Sequence, residues 1–296
     1  MDLLIPLLLS AATHGGGGGG GRRDRKRSRQ DQHRRDHGLK ESVGPANALH
    51  KLCRQIPPRP VEELHALLKT NPEYINQSKG YAKKTPLFLA IKAANVEYVR
   101  VLLAAGADPT VTNGYDNTPV MAALSTPSCL KALLENPKAR ATINATRKKD
   151  GTTAVELDIF CTGLEPSLAL LLDVPELAVN PDPSISPDFA PLHKAIMRGN
   201  FAAMLMLLQR PDIDLNALWR GNTPLSLAAS EKRISMMQYL LLRHADPDIS
   251  LPSANGRTLR TLLEEAAQES GHSSGSEHDI MTLLPPPPPP ATAPSA

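Results

Sequence analysis

The sequence predicts an all-α solenoid of stacked helix-turn-helix units, joined by short hairpin loops and flanked by disordered ends. Three observations carry that expectation. A short motif recurs at a near-constant step, and each copy is followed by a second apolar stretch. The composition is also rich in Leu and Ala but poor in aromatic residues. Apolar residues make up 41% of the chain and aromatic residues only 3%, which suits slim helices packed closely on one another.

The motif is clearest at 223–228, TPLSLA. Aligned with it are NALHKL (47–52), TPLFLA (85–90), TPVMAA (118–123), TAVELD (153–158), APLHKA (190–195) and TLRTLL (258–263). The steps between first residues are 38, 33, 35, 37, 33 and 35, a period that marks a stacked array. Each part of a unit has a physical reason. Thr or Asn caps the first helix, and Pro fits the first turn because no N–H donor is needed there. Leu225, Leu227, Ala228 and Ala229 keep that helix narrow. The second stretches are VEELHALL, VEYVRVLL, CLKALL, SLALLL, FAAMLMLL and ISMMQYLLL. In the last of these Met236, Met237, Leu240 and Leu241 fall at helical spacing. Most units then turn, and Gly106 in Gly-Ala-Asp-Pro is placed to end a helix with positive φ. One unit cannot bury its own apolar face, whereas stacked units bury a continuous one.

Phased in this way, the units resemble the ankyrin repeat over about residues 47–268, as six copies and a partial seventh. TPLFLA…VEYVRVLLAAGADPT (85–110) and TPLSLA…MMQYLLLRHADPD (223–248) stand nearest the family pattern. The resemblance implies a cupped array whose hairpin tips and inner helices take protein partners. His50 and His193, at the fourth position of the motif, are then structural hydrogen-bonding residues. The candidate partner-binding residues are Tyr115 in TNGYDN, Arg147, Lys148 and Lys149 in TRKKDG, and Trp219 and Arg220 in ALWRGN. Trp, Tyr and Arg are the types most often found at interface hot spots. The single Trp is expected at an exposed turn; the alternative is that it folds back on its hairpin and packs on the next unit.

The unit beginning at Thr153 departs from the pattern. Ala154 replaces Pro, Glu156 stands at the His position, and Asp158 stands where a small residue belongs. A buried Asp needs a partner, so a register change that exposes Asp158 is expected. The insertions CTGLEPS and NPDPSISPD add the expectation of a kink. The first unit (Asn47, Leu52) and the last (Leu259, Leu262, with Arg257 and Arg260) read as caps.

The ends read differently from residues 45–269, the expected repeat domain. Residues 1–44 hold seven glycines at 15–21, a flexible spacer, and then a basic run. Residues 22–36 carry eight Arg or Lys against three Asp, so the remainder of this +3 chain is at −2 and a uniformly basic nucleic-acid-binding domain is not indicated. Arg22, Arg23, Arg25, Lys26, Arg27 and Arg29 have the composition of a nuclear-import signal. They also suit phosphate groups of nucleic acid or acidic membrane, and Ser28 within them is a candidate phosphorylation switch. Residues 270–296 are a polar tail whose hexaproline opens at Pro285 and closes at Pro290. It suits a polyproline-binding domain of a partner.

Catalysis finds no support in the sequence. There is no GxSxG, Walker-type loop or HExxH, so neither an enzyme nor a cofactor is expected. Cys53, Cys129 and Cys161 are odd in number and unpaired in spacing, which suits reduced thiols and no zinc site. Residues 3–9 are apolar, but Asp2 and Pro6 spoil a signal peptide, so the expected location is cytoplasmic or nuclear rather than secreted. The reading is a non-enzymatic, monomeric adaptor. Its alternative is a nuclear or membrane-associated regulator anchored by residues 22–35.

Overall fold

The computed structural model describes residues 45–56, 58–161, 165–243 and 261. Residues 1–44 and 270–296 lie outside them, and with them the basic run, Ser28 and the hexaproline. The cap residues Arg257, Leu259, Arg260 and Leu262 also lie outside.

Six helix pairs follow one another along the chain. They are α1 (Pro45–Arg54) with α2 (Val61–Thr70), α3 (Pro86–Lys92) with α4 (Val96–Ala104), and α5 (Pro119–Ala122) with α6 (Pro127–Leu134). After a short extra turn, α7 (Pro137–Arg140), come α8 (Ala154–Phe160) with α9 (Glu165–Leu172), α10 (Pro191–Arg198) with α11 (Phe201–Leu207), and α12 (Pro224–Ser230) with α13 (Ile234–Arg243). The first helices pack on one another in sequence, from α1 to α12, and the second helices do likewise from α2 to α11, giving two layers.

The third residue of each of the six described motifs is a buried aliphatic side chain: Leu49, Leu87, Val120, Val155, Leu192 and Leu225. They form the spine of one continuous apolar core that runs through all six units. Each such side chain is worth about 1.5–3 kcal/mol when fully buried, which explains why the spine carries only aliphatic residues.

Helix ends follow local chemistry. Thr118, Thr153 and Thr223 accept the backbone N–H of Met121, Glu156 and Ser226, while Thr85 stands at the cap without a side-chain bond. Asn caps two of the second helices, α4 and α11, with Asn95 on Tyr98 and Asn200 on Ala203. Gly106 ends the helix pair at φ +94°, as its sequence context predicts.

The Thr153 unit keeps its register. Val155 occupies the spine and Asp158 is buried, so the expected exposure of Asp158 does not occur. The reason is that the extra residues are taken up after α9, where the chain runs from 173 to 190 without helix before α10 begins.

Candidate protein-interaction surface

Neighbouring units are tied by polar contacts that fix where the hairpin tips stand. One Asn near the end of a unit reaches the loop of the next. Asn76 accepts the N–H of Asp108 (2.7 Å), Asn144 that of Ala178 (3.0 Å) and Asn180 that of Asp214 (2.7 Å). Each also donates its side-chain amide to a carbonyl on the same loop: Gly106, Glu176 and Asp212 respectively. The motif His does similar work, with His50 Nε2 on Lys84 O (3.2 Å) and His193 Nε2 on Asn222 O (3.0 Å). Both histidines are therefore structural, as the resemblance implied. Burial lowers the His193 imidazole to about 4, so its ring is neutral at pH 7 and Nε2–H donates to the carbonyl.

Glu156 solves the same problem with the opposite polarity. The next unit begins with Ala190, which has no side-chain oxygen to cap α10. The buried Glu156 carboxylate accepts Ala190 N–H (3.3 Å) across the interface. It also accepts Thr153 N–H (3.1 Å) and Oγ–H (3.2 Å) within its own capping box. Lys194 Nζ, also buried, completes the site at 2.6 Å. One carboxylate thus serves two helix N-termini, where the helix dipoles favour negative charge.

The tips themselves are tight turns. Lys79 and Lys84 exchange backbone bonds (3.0 and 3.2 Å) below Tyr81, which is 94% exposed. In the second tip the Asn113 side chain accepts the N–H groups of Tyr115 (2.8 Å) and Asn117 (3.2 Å), leaving Tyr115 58% exposed. Gly114 N–H donates to Ala82 O (2.8 Å), so the second tip hangs on the first. A Cβ at Gly114 would lie 2.7 Å from Tyr81 O, which only glycine avoids. In the third tip Arg147 is half-buried and paired with Asp150, while Lys148 and Lys149 are exposed.

The fifth tip corrects one expectation. Trp219 is 6% exposed, not presented to solvent: its ring packs 5.9 Å from His193 of the preceding unit and beneath the Arg220 guanidinium at 4.6 Å. The backbone pairing of Trp219 with Asn222 (2.9 and 3.0 Å) turns the indole inward. Arg220 remains exposed but forms a two-oxygen ion pair with Asp188 on the preceding tip (2.8 Å to each). Leu218, beside them, is the exposed apolar residue of this tip at 55%.

The structure therefore places Tyr115, Lys148 and Lys149 on the surface and commits Trp219 and Arg220 to packing between units. Sequence reasoning missed Tyr81 and Leu218. A signal for Tyr81 was present, since Gly-Tyr precedes Thr-Pro in both KGYAKKTP and NGYDNTP. Cys161 is exposed at the end of α8, and Cys53 and Cys129 are buried, with burial pushing the Cys53 thiol up to about 12. Among the described residues no group of His, Cys, Asp and Glu could hold a metal, and no helix is long and apolar enough to cross a membrane.

Known proteins share this arrangement. A family model described as ankyrin repeats (3 copies) matches residues 36–147 and 163–252, more than half of the chain. The B-cell lymphoma 3 protein homolog of Mus musculus is 29% identical over 203 residues. That match covers 65% of this chain and 37% of the mouse protein, so the chain spans well under two thirds of that relative. Among solved structures, the ankyrin repeat domain of Bcl-3, described as a unique member of the IkappaB protein family, superposes with a TM-score of 0.64. It is 23% identical, and the superposition covers 81% of this chain and 99% of that one. The human ASB11 ankyrin repeat domain gives 0.51 at 18% identity, covering 81% and 98%. At those identities the two structures speak to the fold alone, and the fold is the one built here from the motif, the two helix layers and the inter-unit ties. With the family model matching most of the described array, the chain belongs to the ankyrin-repeat family and carries its protein-interaction domain.

Proposed function

We propose that the chain is a non-enzymatic adaptor that binds a protein partner across its hairpin tips and inner helices. The observation that carries this reading is where large apolar side chains meet solvent. Of the five that do so among the described residues, three (Tyr81, Tyr115 and Leu218) stand on separate tips, while Phe201 is edge-on to Tyr239 on the second helix layer. Exposed tyrosines on rigid turns lose little entropy on binding and are typical anchors, and Leu218 adds apolar area. The basic tip of Arg147, Lys148 and Lys149 lies between the Tyr115 and Leu218 tips and sets a preference for a partner with acidic character there. Placement in the cytoplasm or nucleus, a monomeric state and an unaided array domain over 45–269 are parts of the same proposal.

Affinity capture from cell lysate tests it, with the full chain run beside a Tyr81→Ala, Tyr115→Ala, Leu218→Ala variant. The variant's helical circular dichroism is matched first. Loss of a defined protein set with the variant is the expected result; recovery of the same set with both refutes the tip reading. The second reading, anchoring by the basic run 22–35 to nucleic acid or acidic membrane, rests on the local excess of +5 over residues 22–36. It requires that deleting 22–35 abolish a steeply salt-dependent association.

A further inference from the structure

The first two units carry a charge asymmetry that the tips do not explain. Residues 45–61 and 74–96 contain seven Lys or Arg and no Asp or Glu, in a chain that as a whole is nearly balanced at 33 against 30. Five of the seven, Lys51, Arg54, Lys79, Lys84 and Lys92, line a single groove of about 460 Å³ between α1 and α3, bordered by the first hairpin tip. No carboxylate lines it. None of the five joins an ion pair among the described residues.

Structure accounts for some of these charges and not for others. Lys51 and Arg54 lie in the last turn of α1, where the helix dipole favours cations. Lys79 Nζ donates to Asn47 Oδ1. Lys92 ends α3 and has the same dipole role, whereas the Lys84 side chain has none. They stand close enough that burial first, and the neighbouring Lys92 charge second, lower the Lys84 ammonium below its usual range. Two ammonium groups held together without a counter-charge weaken the fold and favour an incoming anion. Beside them Ile56 is 74% exposed and Leu89 half-buried, so the groove has an apolar wall as well as a cationic one.

From this geometry we infer that the groove between α1 and α3 binds an acidic linear segment of a protein partner. The segment is an extended run of Asp and Glu with one apolar side chain seated against Ile56 and Leu89. The inference rests on the array being a protein-binding module and adds the chemistry of one ligand. A peptide fits better than nucleic acid because no aromatic side chain other than the His50 ring, held edge-on between Ala46 O and Lys84 O, lines the groove to stack a base. The apolar wall adds a selection that charge alone does not give, and the cationic wall makes association fast and salt-dependent.

The test is fluorescence anisotropy with the full chain and a labelled peptide of alternating Glu and Asp with one central Leu. Lys84→Gln/Lys92→Gln should weaken binding by about tenfold or more, and replacing the central Leu by Ser should weaken it further. Lys69→Gln/Lys131→Gln, exposed on the second helices α2 and α6 outside the groove, should leave it unchanged. Circular dichroism confirms that each variant is folded. Unchanged affinity in the Lys84/Lys92 variant overturns the inference. So does loss of binding only on deleting 22–35, which would move the acidic site to the basic run. Tighter groove-dependent binding of an oligothymidylate or of phosphatidylserine vesicles also overturns it. These outcomes are independent of the lysate capture, which depends on Tyr81, Tyr115 and Leu218.

Discussion

Replacing Lys194 by Met should destabilise the array far more than any exposed substitution, because it strands a carboxylate with no route to water. Glu156 is fully buried, and Lys194 is its only cationic partner among the described ion pairs. Removing one member of a buried pair typically costs about 3–5 kcal/mol. Here the carboxylate keeps three donors, the N–H and Oγ–H of Thr153 and the N–H of Ala190, and it faces two helix N-termini. Those contacts hold the cost to the low end, about 3 kcal/mol. Met fills the aliphatic volume of the Lys stem beside Phe160, so the loss reports charge and not a cavity. The double variant Glu156→Gln/Lys194→Met should recover most of the loss, since no charge then remains buried. Urea unfolding of the four members of the cycle gives the coupling energy directly. Repeat arrays need not unfold in one step, so amide exchange at Ala190 should be followed as the local probe. A Lys194→Met cost below about 1 kcal/mol with no coupling would refute the argument.

Three further predictions concern the same framework. His193 is held at about 4 in the fold against an ordinary 6.5, so below pH 6.5 the unfolded chain binds a proton that the folded chain excludes. Stability from this group is intact above 6.5 and falls as pH drops towards 4, by about 3 kcal/mol in total; urea midpoints against pH should show the slope, and His193→Gln should flatten it. Gly114→Ala drives a methyl into Tyr81 O at 2.7 Å and should lower the thermal midpoint by an amount equivalent to about 1–3 kcal/mol, while releasing Gly114 N–H from Ala82 O. Trp219→Ala should cost about 3–5 kcal/mol by opening the space against His193. Trp219→Phe should cost much less, because the indole Nε1–H has no acceptor to lose; equal tolerance of both in a denaturation series would mean the Trp is not a packing residue.

The fold was legible because its signal is repeated. Six copies of a third-position aliphatic residue, each followed by a second apolar helix, give the spine and both layers without reference to any tertiary contact. What was less legible depends on pairs of residues in different units. Trp219 alone looks like an exposed turn residue; only the neighbouring His193 and Asp188, roughly one unit back in sequence, show that Trp219 and Arg220 close an interface. Asp158 looks misplaced by composition, yet the helix keeps its register because Val155 already fills the spine beneath it. The Asn ties at 76, 144 and 180 were visible as recurrent Asn at unit ends, but their targets lie 30 to 34 residues ahead, beyond any local periodicity.

The departures of the Thr153 unit are best understood as one coordinated change. Three units link the fourth motif position to the start of the next unit through a polar side chain, His50, Glu156 and His193, while Phe88 and Met121 hold that position as buried apolar residues. Where the next unit presents a carbonyl, as at Lys84 and Asn222, His supplies an N–H. Where the next unit begins with Ala190 and presents an uncapped N–H, an acceptor is required, and Glu156 supplies it. A buried carboxylate then requires a cation, which Lys194 provides from the first turn of α10, and Arg198 covers the neighbouring Phe160 ring with its guanidinium at 4.5 Å. Placing His back at position 156 without changing Ala190 would set a donor against a donor at a site sealed from water. The Glu156→His variant should therefore be less stable than the parent although it restores the family residue. Glu156→Gln should lose less than Glu156→His, because its amide oxygen can still accept Ala190 N–H. If Glu156→His alone matches the parent in urea unfolding, the two positions are not coupled and the exchange of polarity is incidental.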